Sequence, residues 1–512
     1  MNSIGADDLP VGWSRTTLGI VVDVLDHLRV PVNAEERSKR VGSVPYYGAT
    51  GQVGWIDDHI FDEELVLLGE DGAPFLDPAK PKAYIISGKS WVNNHAHVLR
   101  AKLGLGNRFL LYQMNQADFR PFVSGTTRLK LPQAPMRRLR LVIAPEAEQK
   151  RMVAEIERQL TRLDAAVAAL KRVQANLKRF RASVLKAACE GRLVATEAEL
   201  SRADGRDYET GAQLLARILK ERRAKWEADQ RAKMQAAGKP PKDDKWKSKY
   251  QESAAPDIST LPERPEGWVW TNLEQLKTFS LYGPRFSSDA YAPRGQFVLR
   301  TSDISEDGKV DLNGTPRLPL IPDEFAKYRV QQGDLLITRT GSLGTLAVFN
   351  DTVEAIPGAY LIQYRLAAPL VTSWYAFYTL KSPAGQKRLI AGGAGVGRPN
   401  LNAPTIDEIP LPLPPIVEQS RIVAEVERRL SIMEELKTIV NANLTRADRL
   451  RQSILKRAFE GKLVPQDPND EPAGALLERI RAERAKLDQA AKPAKGGMRR
   501  PSRRSARTEI FA

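Results

Sequence analysis

The chain has 512 residues, which corresponds to three or four domains at about 150 residues each. A single cysteine excludes an internal disulfide and a cysteine-rich zinc site, and it favours a reducing, cytoplasmic location. No apolar run approaches the roughly 18 residues of a membrane span, and the N-terminal residues lack the build of a signal peptide. The 78 basic residues exceed the 62 acidic ones, and the net charge of +16 favours a polyanionic partner such as nucleic acid.

The sequence contains an internal repeat. Residues 145–194 align with residues 415–464 without a gap, and 20 of these 50 positions are identical. The match extends upstream, where Gly12 and Trp13 correspond to Gly267 and Trp268, and downstream, where residues 214–222 resemble residues 476–484. The duplication predicts one architectural plan used twice.

Residues 1–144 predict a strand-rich α+β domain, because short apolar runs such as 65–68 and 83–86 are bounded by turn-forming residues. Within it, PYYGATGQVGWIDD (45–58) joins glycine turns to aromatic residues, and WVNNHAHV (91–98) groups amides with imidazoles. Such side chains hydrogen-bond to base edges, although each could instead serve a turn or the core. The expected DNA contacts in this domain are Tyr47, Thr50, Asn93, Asn94, His95, His97 and Arg128.

His95 and His97 leave three interpretations open. Their spacing of two would place both on the same face of a strand, where they could ligate a metal, face DNA or play a structural role. No cysteine pair or HExxH motif accompanies them, so we expect no metal site. The nearby segment AYIISGKS (83–90) has Ala83 where a phosphate-binding loop needs its first glycine, which argues against a nucleotide site.

Residues 145–236 are predicted to be helical. Apolar residues recur at spacings of three and four from Val153 to Val184, between Pro145 and Gly191, which predicts one long helix. About 45 residues at 1.5 Å each span roughly 65 Å, too much to bury on a small globule. We therefore expect this helix and its copy in residues 415–490 to form an antiparallel, coiled-coil-like pair.

Residues 237–264 are polar, proline-bearing and aperiodic, and they predict a linker. Residues 265–414 predict a second strand-rich domain, with strands at 297–299, 335–338 and 360–365 and a helix over 374–390. The glycines at 392–397 follow a predicted helix instead of a strand, which argues against an S-adenosylmethionine loop. Arginine at a strand or loop end is the commonest base contact. The expected DNA contacts here are Tyr282, Arg285, Arg300, Thr301, Arg339, Thr340, Ser342 and Arg398.

The positive charge is unevenly distributed. Residues 1–144 carry +2 (17 basic, 15 acidic) and residues 256–414 carry −1 (15 basic, 16 acidic). Residues 145–255 carry +8 and residues 415–512 carry +7, and the basic tail 491–512 is predicted to be disordered. The helical regions and the tail are therefore expected to supply salt-sensitive, non-specific attraction, while specificity depends on a few side chains of nearly neutral domains.

The sequence resembles the specificity (S) subunit of type I restriction-modification systems. The resemblance rests on the starts at 9–13 and 265–268, on GDLLITRTGSLG (333–344), on the helix starts at 144–157 and 413–427, and on the endings EGRLV and EGKLV. Ala144 and Pro145 depart from the Leu-Pro-Pro expected there. The resemblance implies two target-recognition domains of α+β fold, 1–144 and 265–414, related by a pseudo-two-fold repeat. Each would read one half of an asymmetric bipartite site in double-stranded DNA, and the long helices would set the distance between the halves.

The resemblance also implies partners. Two modification (M) subunits would carry adenine-N6 methyltransferase activity with S-adenosylmethionine, and restriction (R) subunits would add cleavage driven by ATP and Mg²⁺. This chain would then hold no catalytic residue, cofactor or metal of its own. Two alternatives remain: a self-contained DNA methyltransferase or nuclease, whose motifs we do not find, and a helical scaffold that binds DNA without specificity. The expected M-subunit contacts are residues matched between the copies: Glu148, Gln149, Arg151, Glu155, Glu418, Gln419, Arg421 and Glu425.

Overall fold

The computed structural model describes residues 9–319, 323–341, 343–393 and 400–490. They divide into two compact units: unit 1 comprises the chain up to Lys171 and from Asn441 onwards, and unit 2 comprises Arg172–Val440. Among the described residues, every helix is too short or too polar to span a bilayer. Ser342, Arg398 and the predicted tail 491–512 lie outside the described residues.

The first strand-rich domain belongs to unit 1, and three helices follow it. Its strands are β1 (Ser14–Thr17), β2 (Val22–Val24), β3 (Val44–Gly48), β4 (Gly51–Ile56), β5 (Phe61–Asp62), β6 (Leu65–Gly69), β7 (Ala83–Ile86), β8 (Lys89–Val92), β9 (Ala96–Ala101) and β10 (Arg140–Ile143). Its helices are α1 (Leu18–Val21), α2 (Ala34–Lys39), α3 (Asn107–Gln116) and α4 (Gln133–Arg137). The helices after the domain are α5 (Glu146–Cys189), α6 (Glu197–Asp204) and α7 (Gly211–Ala236).

The second strand-rich domain belongs to unit 2. Its strands are β11 (Val269–Asn272), β12 (Lys277–Tyr282), β13 (Gln296–Leu299), β14 (Arg317–Leu318), β15 (Leu335–Thr338), β16 (Leu346–Val348), β17 (Ala355–Pro357), β18 (Leu361–Leu366) and β19 (Pro410–Leu413). Its helices are α8 (Leu273–Leu276), α9 (Ser373–Lys381), α10 (Pro383–Gly392) and α11 (Ala403–Asp407). Within the described residues two further helices follow, α12 (Ile416–Phe459) and α13 (Ala473–Ala490).

The two domains share a sheet plan. In unit 1 the central antiparallel sheet has the order β2-β9-β6-β7, and in unit 2 the corresponding sheet has the order β12-β18-β15-β16. The middle strands β6 and β15 are buried at every position, which explains their continuous apolar sequences. The prediction of one α+β plan used twice is confirmed.

The prediction of a single helix over residues 374–390 is wrong. The segment forms two helices, α9 and α10, which break at Ser382 and Pro383. Ser382 is the N-cap of α10, where its hydroxyl accepts the backbone N–H of Gly385 at 3.1 Å. Pro383 lacks an N–H donor and suits the first turn of a new helix, so the chain ends one helix and begins another there.

The long helices α5 and α12 run antiparallel where they pack in unit 1. Asp164 in the middle of α5 pairs with Arg451 of α12, while Arg151 near the start of α5 pairs with Asp470 beyond the end of α12, at 2.5 Å. In unit 2 the opposite ends of the same helices share a core, with Val184, Leu185 and Ala188 from α5 and Ile422 and Val426 from α12. The predicted antiparallel helical pair is confirmed within each unit.

Each domain is closed at its base by its own first and last strands. β1 pairs with β10 so that Ser14 lies opposite Ile143, and β11 pairs with β19 in the same register, with Val269 opposite Leu413. The segment that follows the other long helix then docks beside this closure. In unit 1 the backbone N–H of Ala473 donates to the carbonyl of Gly12 at 2.8 Å, and in unit 2 that of Gly211 donates to Gly267 at 2.7 Å.

Part of the predicted linker folds back on α7. Trp246 is buried and stacks on Trp226 with ring centroids 5.9 Å apart, and Tyr250 meets Trp226 edge-on at 5.3 Å. The polar composition of residues 237–264 did not predict this cluster. The rings of Trp246 and Tyr250 bury enough apolar surface against Trp226 to hold the polar segment on α7.

Gly191 and Gly461 end α5 and α12 in the left-handed conformation, at φ +65° and +69°. A Cβ at Gly191 would lie 2.3 Å from Cγ of Pro265, and a Cβ at Gly461 would lie 2.3 Å from Cγ of Pro10. Each glycine therefore allows a helix end to touch the entry of a domain. Gly205 has φ +63°, and a Cβ there would meet nothing within 4 Å, so this glycine serves as the matched control.

We expect Gly191→Ala and Gly461→Ala to lower the free energy of unfolding by more than Gly205→Ala does. The control carries only the backbone cost of about 1 kcal/mol, whereas the other two add a steric overlap and should cost more than about 2 kcal/mol. Urea denaturation of the full chain measures all three. Equal effects at the three positions would contradict the proposed close contacts.

Candidate nucleic-acid interface

The predicted contacts of the first domain gather where β3, β4, β8 and β9 end. Thr50 is exposed at the tip of the β3–β4 hairpin, and Asn94 is exposed in the turn between β8 and β9. The two turns are fastened together, since the backbone N–H of Asn93 donates to the carbonyl of Tyr47 at 3.0 Å. The structure thus brings the two predicted segments, 45–58 and 91–98, into one surface.

Two of these residues are partly withdrawn from that surface. Asn93 is 9% exposed, and its side-chain oxygen accepts the backbone N–H of His95 at 2.8 Å, which shapes the turn. Tyr47 is half-buried and packs against Tyr84, with ring centroids 6.0 Å apart. Thr50, Asn94 and His95 therefore remain the accessible polar groups of these turns.

His95 and Arg128 meet at a carboxylate that the sequence reasoning missed. Asp71 follows β6, and its Oδ1 lies 2.7 Å from Nε of Arg128 while its Oδ2 lies 3.4 Å from Nδ1 of His95. The side chain of Arg128 is 62% exposed and that of Asp71 is 23% exposed. The signal was the acidic pair Glu70-Asp71 directly after the buried strand LVLLG, because polar residues at a strand end share an edge with those of its neighbours.

His97 is not an accessible DNA contact, and His95 does not share a strand face with it. His97 lies in β9 and is completely buried, whereas His95 lies in the preceding turn. The two ring nitrogens of His97 are engaged, Nδ1 with Asp26 Oδ2 at 2.6 Å and Nε2 with the carbonyl of Leu131 at 2.8 Å. The geometry therefore supports a structural role for His97. Its ring connects β9 to Leu131, which precedes α4.

Asp26, Glu70 and His97 are the group of potential metal ligands found among the described residues, with ligand atoms within 4.8 Å of one another. Arg29 already lies on this group: its Nη1 is 2.8 Å from Oε2 of Glu70, and its Nη2 is 3.6 Å from Oδ2 of Asp26. A guanidinium so placed balances both carboxylates. The cluster is better described as a buried ion network than as a metal site.

The second domain gathers its predicted contacts in two adjoining groups. Arg285, Arg300 and Thr301 line a cavity of about 400 Å³ together with Tyr291 and Tyr360. Arg300 is held by Asp303, with Nη2 at 2.7 Å from Oδ1, so its orientation is fixed by the short helical turn that Thr301 begins.

The second group lies at the end of β15. The guanidinium of Arg339 lies 4.8 Å above the ring of Tyr282, and its Nε is 3.4 Å from Oδ1 of Asn400. Thr340 pairs with Asn400 through the backbone, and the backbone N–H of Arg339 donates to the carbonyl of Tyr360, which joins this group to the cavity. The domain thus presents arginines held by an amide, a carboxylate and an aromatic ring.

Four of the expected M-subunit contacts are buried inside the chain, which corrects their interpretation as a partner surface. Glu148 is 1% exposed, and its Oε2 accepts the indole N–H of Trp13 at 2.9 Å. Glu418 repeats this arrangement, because its Oε1 accepts the indole N–H of Trp268 at 2.9 Å. Burial raises the pKa of both carboxyls, and the indole hydrogen bonds oppose that rise. These residues match between the copies because they make the same internal contact.

Gln149 and Gln419 are also internal. Gln149 Nε2 donates to the carbonyl of Ala144 at 2.9 Å, and Gln419 Nε2 donates to that of Pro414 at 3.1 Å, so each glutamine fixes the step from the last strand into the long helix. The matched glutamines are 2% and 0% exposed. Neither is available to a partner in this structure.

The remaining four expected contacts lie nearer the surface. Arg151 pairs with Asp470, and Arg421 pairs with Glu197 at 2.6 Å, so both arginines fasten the segment that follows the other long helix. Glu155 and Glu425 lie on the helix surfaces. Hydrogen bonds from Arg158 and Gln159 lower the pKa of Glu155 to about 2, and those from Arg428 and Arg429 do the same for Glu425.

Duplicated strand-rich domains, each closed by its own end strands and docked on a long helix, define a two-repeat α+β protein with arginine, amide and imidazole groups at its strand ends. The chain belongs to the family of type I restriction modification DNA specificity domains, whose model matches residues 10–179 and 265–442. The match thus covers the strand-rich domain and the first part of the long helix in each copy.

Curated relatives agree with this family, and a solved structure agrees with the fold. The chain is 26% identical over 354 residues to the type I restriction enzyme EcoBI specificity subunit of Escherichia coli, a match that covers 67% of this chain and 64% of that subunit. It is 23% identical over 500 residues to the EcoDI specificity subunit of Escherichia coli, covering 94% and 97%. A solved structure concerning complex assembly of the type I R-M system matches with a TM-score of 0.58 at 16% identity, over 89% of this chain and 99% of that one, which supports the fold.

Asp26 makes the stability of the first domain pH-dependent. Burial raises its pKa, but the hydrogen bonds from His97, the Val98 amide and Gln133 outweigh burial and hold the pKa below its usual value. A lowered pKa contributes stability that is present above the unfolded value, about 3.9, and is lost as the pH falls through the folded value.

We therefore expect Asp26→Asn to lower the free energy of unfolding by about 2–4 kcal/mol at pH 7, because a neutral amide replaces the carboxylate that meets His97 Nδ1, the Val98 amide and Gln133. The difference from wild type should begin to shrink below about pH 4, where the unfolded carboxylate becomes protonated, and should continue to shrink as the pH falls through the lower folded pKa. Denaturant unfolding at pH 7 and pH 3.5 measures it, with Asp57→Asn, in an exposed pair with Arg40, as the control. A pH-independent difference would contradict the assignment of the ionised carboxylate.

Proposed function

We propose that this chain is the DNA-specificity subunit of a type I restriction-modification complex, in which each strand-rich domain reads one half of an asymmetric bipartite site in double-stranded DNA. The observation that carries the proposal is the family match to both copies, together with the sheet plan they share. One plan with two different sets of exposed side chains suits two different half-sites.

The two domains differ at corresponding strand ends. β6 is followed by Glu70 and Asp71, whereas β15 is followed by Arg339 and Thr340. At the first edge Asp71 lies against the exposed Arg128, whereas at the second edge Arg339 lies against Tyr282 and Asn400, so the two edges present differently placed donors to a major groove. Different half-sites are the expected consequence.

Partner subunits would carry the chemistry. M subunits would methylate adenine with S-adenosylmethionine, and R subunits would cleave DNA using ATP and Mg²⁺, while this chain selects the sequence. The buried glutamates and glutamines are unsuited to partner docking, so we place M-subunit contacts on the exposed faces of α5 and α12. Those faces carry Glu155 and Glu425 and the exposed apolar side chains of Val173, Phe180 and Leu436, which a partner would cover.

Methylome sequencing of a host that expresses this chain with its M subunit tests the proposal. We expect one methylated motif made of two short specific halves separated by a fixed number of unspecified base pairs, and no such motif when either subunit is expressed alone. A contiguous motif, or the absence of any motif, would contradict the proposal. Transfer of labelled methyl groups to DNA by the purified chain alone would favour the self-contained methyltransferase instead.

A further inference from the structure

The fold holds the backbone turn that carries Arg128. This turn is closed by two backbone hydrogen bonds between Ser124 and Lys130, at 2.9 and 2.8 Å. The turn is fastened to the end of β6, because the backbone N–H of Leu131 donates to the carbonyl of Glu70 at 2.7 Å and that of Gly72 donates to Leu129 at 2.9 Å. Gly72 has φ +76°, and a Cβ there would lie 3.3 Å from Nε of Arg128. The glycine therefore leaves space for the Arg128 side chain.

Asp71 holds the guanidinium through an ion pair. Its Oδ1 lies 2.7 Å from Nε of Arg128, while its Oδ2 lies 3.4 Å from Nδ1 of His95. Because the carboxylate lies on the Nε side of the guanidinium, the two terminal nitrogens still offer their N–H groups. That pair forms the fork that matches two acceptors in one plane. Because 62% of the Arg128 side chain is exposed, the fork can be reached from solvent.

We propose that Asp71 and Arg128 form a guanine-reading site in the first recognition domain, with Arg128 as the base contact and Asp71 as its positioning residue. Guanine presents O6 and N7 as two acceptors in the major groove, which the two terminal nitrogens of Arg128 match. Adenine places an amino donor where guanine has O6, so the same fork rejects it. This inference rests on the proposed function and adds to it a base and a pair of residues.

The charges around the site are compatible with a DNA backbone. Asp71 faces Arg128 and His95, and Glu70 faces Arg29 and Lys130, so each carboxylate has cationic or imidazole neighbours. At the corresponding strand end of the second domain, after β15, Arg339 is held differently, through the amide of Asn400 and the ring of Tyr282. The carboxylate-held arginine of the second domain, Arg300, follows a different strand, β13, so the effect of Asp71 should be confined to one half-site.

The test uses the complete complex of this chain with M subunits. Binding is measured to the cognate duplex and to duplexes changed at one base pair at a time. Wild type should prefer guanine at one position of one half-site by about 10- to 100-fold, the range given by a bidentate contact. Arg128→Ala should abolish that preference, and Arg128→Lys should largely abolish it, because an ammonium group cannot make the paired contact.

Asp71→Asn should reduce the preference at that same position by about 10-fold and leave every other position unchanged. A merely structural role would instead weaken binding at all positions, so the single-position readout separates the two. Asp118→Asn is the matched control, since Asp118 and Arg120 form an exposed pair of the same type at 2.7 Å in the same domain. It should change nothing.

Three outcomes would overturn the inference: an unchanged preference in Asp71→Asn, a uniform loss at all positions, or a wild-type half-site without a guanine sensitive to Arg128. If Asp71→Asn fails to fold, the Arg128→Lys variant still decides, because it leaves the carboxylate in place. Failure of the proposed function is distinguishable, because the wild-type complex would then show no bipartite preference at all.

Discussion

A buried hydrogen bond from tryptophan to glutamate, made once in each repeat, underlies the rest of the structure. Trp13 to Glu148 and Trp268 to Glu418 join the entry of each domain to the first turn of the helix that leaves it, both at 2.9 Å. An unpaired carboxylate in such a place would be costly, so donor and acceptor must be kept together. The paired end strands complete the closure. The segment between those strands can vary as long as it keeps its own helix contacts, such as Phe109 against Phe459 of α12 and Arg108 with Glu157 of α5.

The long helices were predictable because their signals are local. The spacing of apolar residues, the preceding prolines and the terminal glycines all lie within the segment they describe. The break at Ser382 and Pro383 was local too, and the apolar content of the flanking residues concealed it. Strand order was not predictable, since β2-β9-β6-β7 joins segments that are far apart in sequence.

The residues of the candidate site likewise divide into those that the local sequence predicts and those that depend on distant segments. Thr50, Asn94, His95 and Arg128 were identified from residue type and are exposed or partly exposed. Asp71 was not, because its importance depends on a turn that lies much further along the chain. The identity of residues between the two copies led to a wrong prediction for a different reason. Residues that make the same internal contact in each copy are identical, and so are residues that bind the same partner in each copy. Only the burial of Glu148 and Gln149 separates them.

The central claim is that each domain is an exchangeable reader between fixed end strands. Replacing the segment between β1 and β10 with that of a relative of different specificity, and sequencing the methylome with the same M subunit, tests it most directly. The account predicts a bipartite motif with one half replaced and the other half retained. A motif changed in both halves, or in neither, would contradict it.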